Sequence, residues 1–258
     1  MKILLKIAYL GTGYCGYQVQ PNGMTVQEKL NEAAKAVFGC DCDIVGCSRT
    51  DSGVHARGFC AAVSEKGTGT LKTGIPADRI PRALNAHLPE DISVLAAVPV
   101  DEEFHPRYGV ISKEYEYLIL NAPTRDPFLR DRVWHVPQPI SDDALARMNE
   151  AAAAFVGEKD FTALRDGMAD EDESNVRRVY AASVTREGEL ISFRVRADGF
   201  LYHMVRVMTG TLMEVARGRI PADEIAARIA SLDRRLLGST APAAGLYLDR
   251  VFYEKEFF

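Results

Sequence analysis

Long apolar runs are absent from this chain. No stretch reaches the roughly 18 residues that a membrane span requires, so a membrane protein is not expected. The first residues, MKILLKIAYLGTG, lack the extended apolar core and cleavage site of a secretory leader and read as a strand, which makes a cytoplasmic location the expectation. Cysteine is scarce. The five residues Cys15, Cys40, Cys42, Cys47 and Cys60 are odd in number and follow no disulfide-framework spacing. Cys40, Cys42 and Cys47 form C-x-C-x4-C, which invites a zinc reading, but no second cysteine cluster and no nearby H-x3-H accompany it. Reduced thiols and no metal are therefore expected. An excess of positive charge is missing too, since the net charge is −5. That argues weakly against a nucleic-acid partner, but distribution matters more than the sum. Between Arg177 and Arg219 eight arginines face four acids, and just before them DGMADEDE reads as an acidic loop containing glycine.

What is present is a repeated order of elements. KILLKIAYL reads as a strand and TVQEKLNEAAKAVFG as a helix, with Thr25 as N-cap, Glu28 completing a capping box and Gly39 just past the end. Strands CDIVGCS and GFCAAVS, a short helix PADRIPRALNAHL and a strand DISVLAAVPV follow. The order then begins again. SKEYEYLIL is a strand and SDDALARMNEAAAAFVG a helix capped by Ser141, while VYAASVTR and ELISFRVRA flank a turn at Glu187-Gly188. A long helix FLYHMVRVMTGTLMEVARG, an extra helix PADEIAARIASL and a last strand GLYLDRVFYE complete it. Each half reads βαββαβ, so an α+β fold is expected: two ferredoxin-like halves, residues 1–103 and 104–258, with antiparallel sheets flanking a basic central cleft. The alternation in ELISFRVRA puts Leu190, Ser192, Arg194 and Arg196 on one face, where the arginines could reach phosphates.

The stretch CSRTDSGVHARG concentrates chemistry. Asp51 lies between Arg49 and Arg57, with Thr50 and Ser52 beside it and Gly53 and His55 behind, in a loop between two strands. Competing readings of such features fail on context. GTGYCG (residues 11–16) matches G-x-G-x-x-G after a strand, but Pro21 and Asn22-Gly23 prevent the immediate helix that a dinucleotide site needs. Ser48, Asp51 and His55 have no G-x-S-x-G elbow around them, and an Asp51-His55 metal pair alone is a weak signal. His203 and Arg206 are expected one turn apart on a helix whose core stripe is Phe200, Leu201, Met204, Val207 and Met208.

Several stretches in order resemble the TruA family of tRNA pseudouridine synthases. GYQVQ…TVQEKL is similar to the family's G-W-Q-x-Q…S-V-Q-x-x-L, and SRTDSGVHARG to its G-R-T-D-A-G-V-H-A-x-G. HPRYGVISKEYEY, GEKDFTAL, FLYHMVRVMTGTLMEV and GLYL resemble further family stretches in the same order. The resemblance implies conversion of uridine to pseudouridine in the anticodon stem-loop of tRNA, without cofactor or metal, by a homodimer. By position it makes Asp51 the nucleophile and Tyr115 the tyrosine that stacks on the uracil. Arg206 becomes the arginine expected to pair with the aspartate, Leu246 a residue lining the uracil pocket, and Arg49 an arginine that helps extrude the base. Tyr17, Cys47, Phe59 and Lys159 depart from the family pattern and put substrate range in question. Two rival functions remain: an RNA-binding module without catalysis, which would not need Asp51, Tyr115 and Arg206 as a set, and a metal-dependent hydrolase, which metal analysis would reveal.

Overall fold

The strands and helices of the first half arise from local patterns. β1 (Lys2–Tyr9), α1 (Val26–Phe38), β2 (Cys42–Gly46), β3 (His55–Glu65), α2 (Ile80–Asn85) and β4 (Ile92–Val100) follow in the expected order. α1 begins where the Thr25 hydroxyl accepts from the Glu28 N–H at 3.3 Å and the Glu28 carboxylate accepts from the Thr25 N–H at 3.4 Å. It ends at Gly39, which adopts a left-handed conformation with φ 71°. Val26, Leu30, Ala33 and Ala34 form its buried face, one stripe of a 3.6-residue period. The strands pair antiparallel in the order β4–β1–β3–β2, the ferredoxin-like arrangement. Ile3, Leu4, Leu5 and Ile7 of β1 are all buried, as are Ile80 and Leu84 of α2. Between Ile7 and Tyr9 the register of β1 against β3 shifts, so the strand ends on an irregularity next to the first loop.

The computed structural model describes residues 1–167 and 174–258. The acidic stretch expected over 166–173 therefore lies almost wholly outside the described residues. The second half comprises β5 (Val110–Leu120), β6 (Trp134–His135), α3 (Asp142–Ala153), β7 (Gly157–Asp160), β8 (Val176–Glu187), β9 (Leu190–Ala197), α4 (Met204–Ala216), α5 (Ile225–Ala230) and β10 (Leu246–Tyr253). β5, β9, β8 and β7 pair antiparallel in that order, and the short β6 adds in parallel to β5. β6 and β7 are additions to the expected βαββαβ. Phe155, Phe161 and Phe193 are fully buried, together with Met148 of α3 and Val207, Met208 and Leu212 of α4.

Two differences from the sequence reading have physical causes. The helix expected from Phe200 begins only at Met204, because His203 takes a left-handed conformation, φ 59° and ψ 4°, that no helix can pass through. His203 and Arg206 thus do not share a helical face. The compact units are Met1–Ile111 with Tyr247–Phe258, and Ser112–Leu246, rather than two successive segments meeting at 103/104. The C-terminal strand groups with the first unit because Tyr247 and Leu248 pair in parallel with His55 and Ala56 of β3.

Phe193 is buried in full, with the Phe155 ring at 6.3 Å. Replacing it by alanine is expected to cost about 3–5 kcal/mol through the cavity left behind. The check is a lower urea midpoint for F193A with its slope unchanged.

Candidate active site

Asp51 sits in the loop between β2 and β3, half-buried, on a turn that backbone contacts hold in place. Its carbonyl accepts from the Val54 N–H at 3.1 Å, closing a turn in which Gly53 takes φ 79°. The loop after β1 lies against this turn. A Cβ on Gly11 would stand 2.0 Å from the Val54 oxygen, and one on Gly16, whose φ is 82°, would stand 2.5 Å from the Thr50 oxygen. Side chains cannot enter such a contact, so glycine is required at both positions. Hydrogen bonds then bolt the loops together. The Tyr17 N–H donates to the Thr50 carbonyl at 3.2 Å, and the Ser52 hydroxyl to the Tyr14 carbonyl at 3.1 Å. The Tyr9 and Thr50 hydroxyls share a buried bond of 2.8 Å. The Gly11 N–H donates to His55 Nδ1 at 2.9 Å.

The same loop is anchored from behind. The carbonyls of Gly16 and Tyr17 accept from the Val26 and Gln27 N–H groups, two amides at the start of α1 that have no partner within the helix. GTGYCG therefore does use two of its glycines, Gly11 and Gly16, for close backbone approach, but the surface they cradle is the Asp51 turn instead of a pyrophosphate. His55 is fully buried, with the Tyr247 ring centroid 4.8 Å from its own. With Nδ1 accepting from Gly11, it is a strut of the loop. Arg49 is exposed in the same loop, and Arg57 on β3 pairs with Asp249 at 3.0 Å and lies 4.2 Å from the Tyr247 ring centre.

The second unit holds the remaining candidates. Tyr115, on β5, is buried and opposes Val195; its ring and that of Phe200 form a T-shaped pair with centroids 5.0 Å apart. Tyr117 is buried beside it on the same face and donates to the Pro242 carbonyl at 2.7 Å. Leu246, at the start of β10, is buried as well. Arg206 lies in the first turn of α4, with Nε donating to the Ala241 carbonyl at 2.7 Å. Arg194 and Arg196 do not join these residues. In an antiparallel pair directly opposed residues share a face. Tyr115 therefore goes with Val195, whereas Glu116 and Glu114 go with Arg194 and Arg196 on the other side. There the expected basic face is partly neutralised: Arg194 meets Glu116 at 2.7 Å and Glu114 at 3.5 Å, and the buried Glu116 also accepts from Ser192 at 2.6 Å. Arg196 donates to the Ser112 hydroxyl at 3.0 Å and faces the Tyr180 ring at 5.6 Å.

Three of the departures from the family pattern turn out to be neighbours. The Tyr17 ring stacks on Phe59 at 4.2 Å, and a Cβ on Gly46, just before Cys47, would touch both rings. Tyr17, Cys47 and Phe59 are all buried, so together they form a core beneath the Asp51 loop rather than a substrate-reading surface. Lys159 donates to the Val156 carbonyl at 2.7 Å, just past the end of α3. Burial pushes the Cys42 thiol up to about 12 and the Cys60 thiol higher still, which disfavours the reactive thiolate at those two positions. Cys47 Sγ accepts from the Cys60 N–H at 3.4 Å, and Cys40 and Cys42 stand 4.0 Å apart. Among the described residues no group of three or more His, Cys, Asp or Glu side chains could hold a metal ion. What the Asp51 loop offers is a half-buried carboxylate on a turn closed by its own backbone. Such a group can act as a nucleophile or stabilise a developing positive charge.

A family model described as tRNA pseudouridine synthase matches residues 6–109 and again 151–254. Among curated proteins, tRNA pseudouridine synthase A of Acetivibrio thermocellus is 42% identical over 97% of this chain and 99% of its own length. The protein of that name from Ruminiclostridium cellulolyticum is 42% identical over 98% and 99%. The one from Bacillus pumilus is 40% identical over 98% and 100%.

The loop contact makes its own prediction. Gly16→Ala puts an L-residue in left-handed backbone, at a cost of about 1–2 kcal/mol, and presses a methyl group on the Thr50 oxygen. The Tyr17 and Val54 amides should then exchange with solvent deuterium about tenfold faster or more. Unchanged protection at both amides would mean that the contact does not hold the loop.

Proposed function

The chain belongs to the TruA family of tRNA pseudouridine synthases, and on that premise we propose that it isomerises uridines of the tRNA anticodon stem-loop with Asp51 as nucleophile. The reaction breaks the C1′–N1 glycosidic bond, turns the freed uracil and joins C5 to C1′. The C5 proton leaves and N1 gains one, so substrate and product are isomers and no co-reactant is consumed. Bond cleavage creates electron deficiency at the nucleoside, which an ionised carboxylate can meet by forming a transient covalent bond. The observation that carries this reading is the seating of the Asp51 turn on the backbone of residues 11–17. A nucleophile must be held in one place, and the backbone that carries this carboxylate is a turn whose neighbours are themselves fixed.

The other residues take roles that this chemistry needs. A half-buried carboxylate loses ionised character unless a cation supports it, and we assign that task to Arg206. The target base must leave its stack. Tyr115 is assigned to receive it on an aromatic surface, Leu246 to the wall of the uracil pocket, and Arg49 to the extrusion. Arg194 and Arg196 are assigned to the RNA backbone from the opposite face of the sheet, with Glu114 and Glu116 offsetting part of the charge there. Homodimeric assembly with tRNA reaching both subunits completes the proposal.

Pseudouridine mapping on tRNA incubated with chelator-treated protein tests the whole reading. Modified anticodon-arm uridines are expected without metal or nucleotide, while binding with no pseudouridine would favour an RNA-binding module. Asp51→Asn keeps the shape of the side chain but removes the nucleophile, so turnover should vanish with tRNA affinity nearly intact. Turnover within about tenfold of wild type, a barrier change of only about 1.4 kcal/mol, would refute the assignment.

Salt dependence tests the two arginines. Each phosphate contact contributes about 0.7–0.9 to the slope of log affinity against log salt. Arg194→Ala and Arg196→Ala should each flatten the slope by up to about that amount. Equal slopes in wild type and both variants would mean that this strand face is only solvated.

A further inference from the structure

Ala241 holds Arg206 on two sides. The Ala241 carbonyl accepts from Arg206 Nε at 2.7 Å, and the Ala241 N–H donates to the Arg206 carbonyl at 3.1 Å. The segment carrying Ala241 runs directly along α4: a Cβ on Gly210 would stand 1.7 Å from the Ser239 oxygen. Whatever fixes residues 238–241, and whatever fixes the start of α4, therefore helps to fix the guanidinium.

Both are gathered by a single carboxylate. Asp166 Oδ1 accepts from Arg234 Nε at 2.8 Å, and Oδ2 accepts from the Thr240 hydroxyl and lies 3.0 Å from His203 Nδ1. The same Arg234 donates to the Gly238 carbonyl at 2.8 Å and to Thr240 Oγ1 at 3.2 Å. The Asp166 N–H donates to the Tyr202 carbonyl at 3.3 Å. Asp166 thus ties the residues that precede α4 to the segment that flanks it. Burial works against its ionised form, yet the bonds from Thr240, His203 and Arg234 outweigh this and hold its carboxyl below the usual range. His203 adds a second sign. A histidine in left-handed backbone persists only where its surroundings over-determine it, and here the constraints come from Asp166 and from Tyr202, whose ring stacks on His203 at 3.8 Å.

We infer that Asp166 is a positioning residue for Arg206, setting the guanidinium through Ala241 on one side and the first turn of α4 on the other. The inference rests on the reaction proposed above. Asparagine at position 166 has the same outline but one acceptor oxygen in place of two, and its amide group would face a donor. Thr240→Val is the milder variant: it removes the hydroxyl's bonds to Asp166 and Arg234 and leaves the carboxylate.

The test is single-turnover pseudouridine formation on tRNA, with binding and melting measured on the same preparations. Asp166→Asn should slow the chemical step by about tenfold or more, and Thr240→Val by a few-fold, with tRNA affinity within about twofold of wild type. In an Arg206→Lys background the same changes should cost less than about twofold each, because residues that act as one unit are not additive. Equal losses in both backgrounds, or losses explained by weaker binding or by unfolding at the assay temperature, would overturn the positioning role. A wild-type protein that forms no pseudouridine would overturn the proposed reaction and this inference with it, whereas an active wild type with a fully active Asp166→Asn would overturn this inference alone.

Discussion

The seating of one peptide backbone directly on another, Gly16 against Thr50 and Gly11 against Val54, is the constraint on which the Asp51 site depends. Atoms brought this close leave no tolerance. The loop after β1 has one register against the Asp51 turn, and the hydrogen bonds of Tyr17, Ser52, Tyr9 and Gly11 keep it there. From the other side the loop accepts the first amides of α1, so a helix capped by its own Thr25 and Glu28 becomes the anchor of the carboxylate. This explains why the motif around Asp51 cannot work as an isolated turn. It also explains why Tyr17, Cys47 and Phe59 occur together: the ring stack and the thiol fill the space beneath the same loop, and a change in one alters the room left for the others.

The second unit solves a similar problem with charge as well as with close packing. Arg206 projects from the first turn of a helix, a position that frays unless the preceding residues are tied down. They are tied to Asp166, which also reaches the segment that brackets the arginine. A network of this kind is sensitive: each bond satisfies a half-buried group, and removing one partner leaves the others without theirs.

The strand face opposite Tyr115 shows how charge counted along a chain can mislead. The arginine-rich stretch is real, but in the sheet Arg194 stands across from Glu116 and within reach of Glu114, acids contributed by β5. Directly opposed side chains on adjacent strands interact, so the charge of a strand face is a property of the pair.

Much of the protein was legible in the chain. The doubled order of strands and helices, the Thr25–Glu28 capping box, Gly39, the Ser141 cap and the inward alternation of Ile191, Phe193 and Val195 all appear in the structure, because each depends on residues a few positions apart. The Asp51 loop could also be placed between two strands from its flanks. Three features could not be found this way. α4 starts at Met204 because His203 is held left-handed by contacts with Asp166 and Tyr202. Tyr115 and Arg194 lie on opposite faces because the register of β5 against β9 so places them. GTGYCG serves the Asp51 turn because the two loops meet in space. Periodicity, caps and turns are properties of neighbouring residues, and the sequence by itself determined them. Register between strands, contact between loops and the partners of a charged side chain depend on atoms far apart along the chain, and only the tertiary structure decided those.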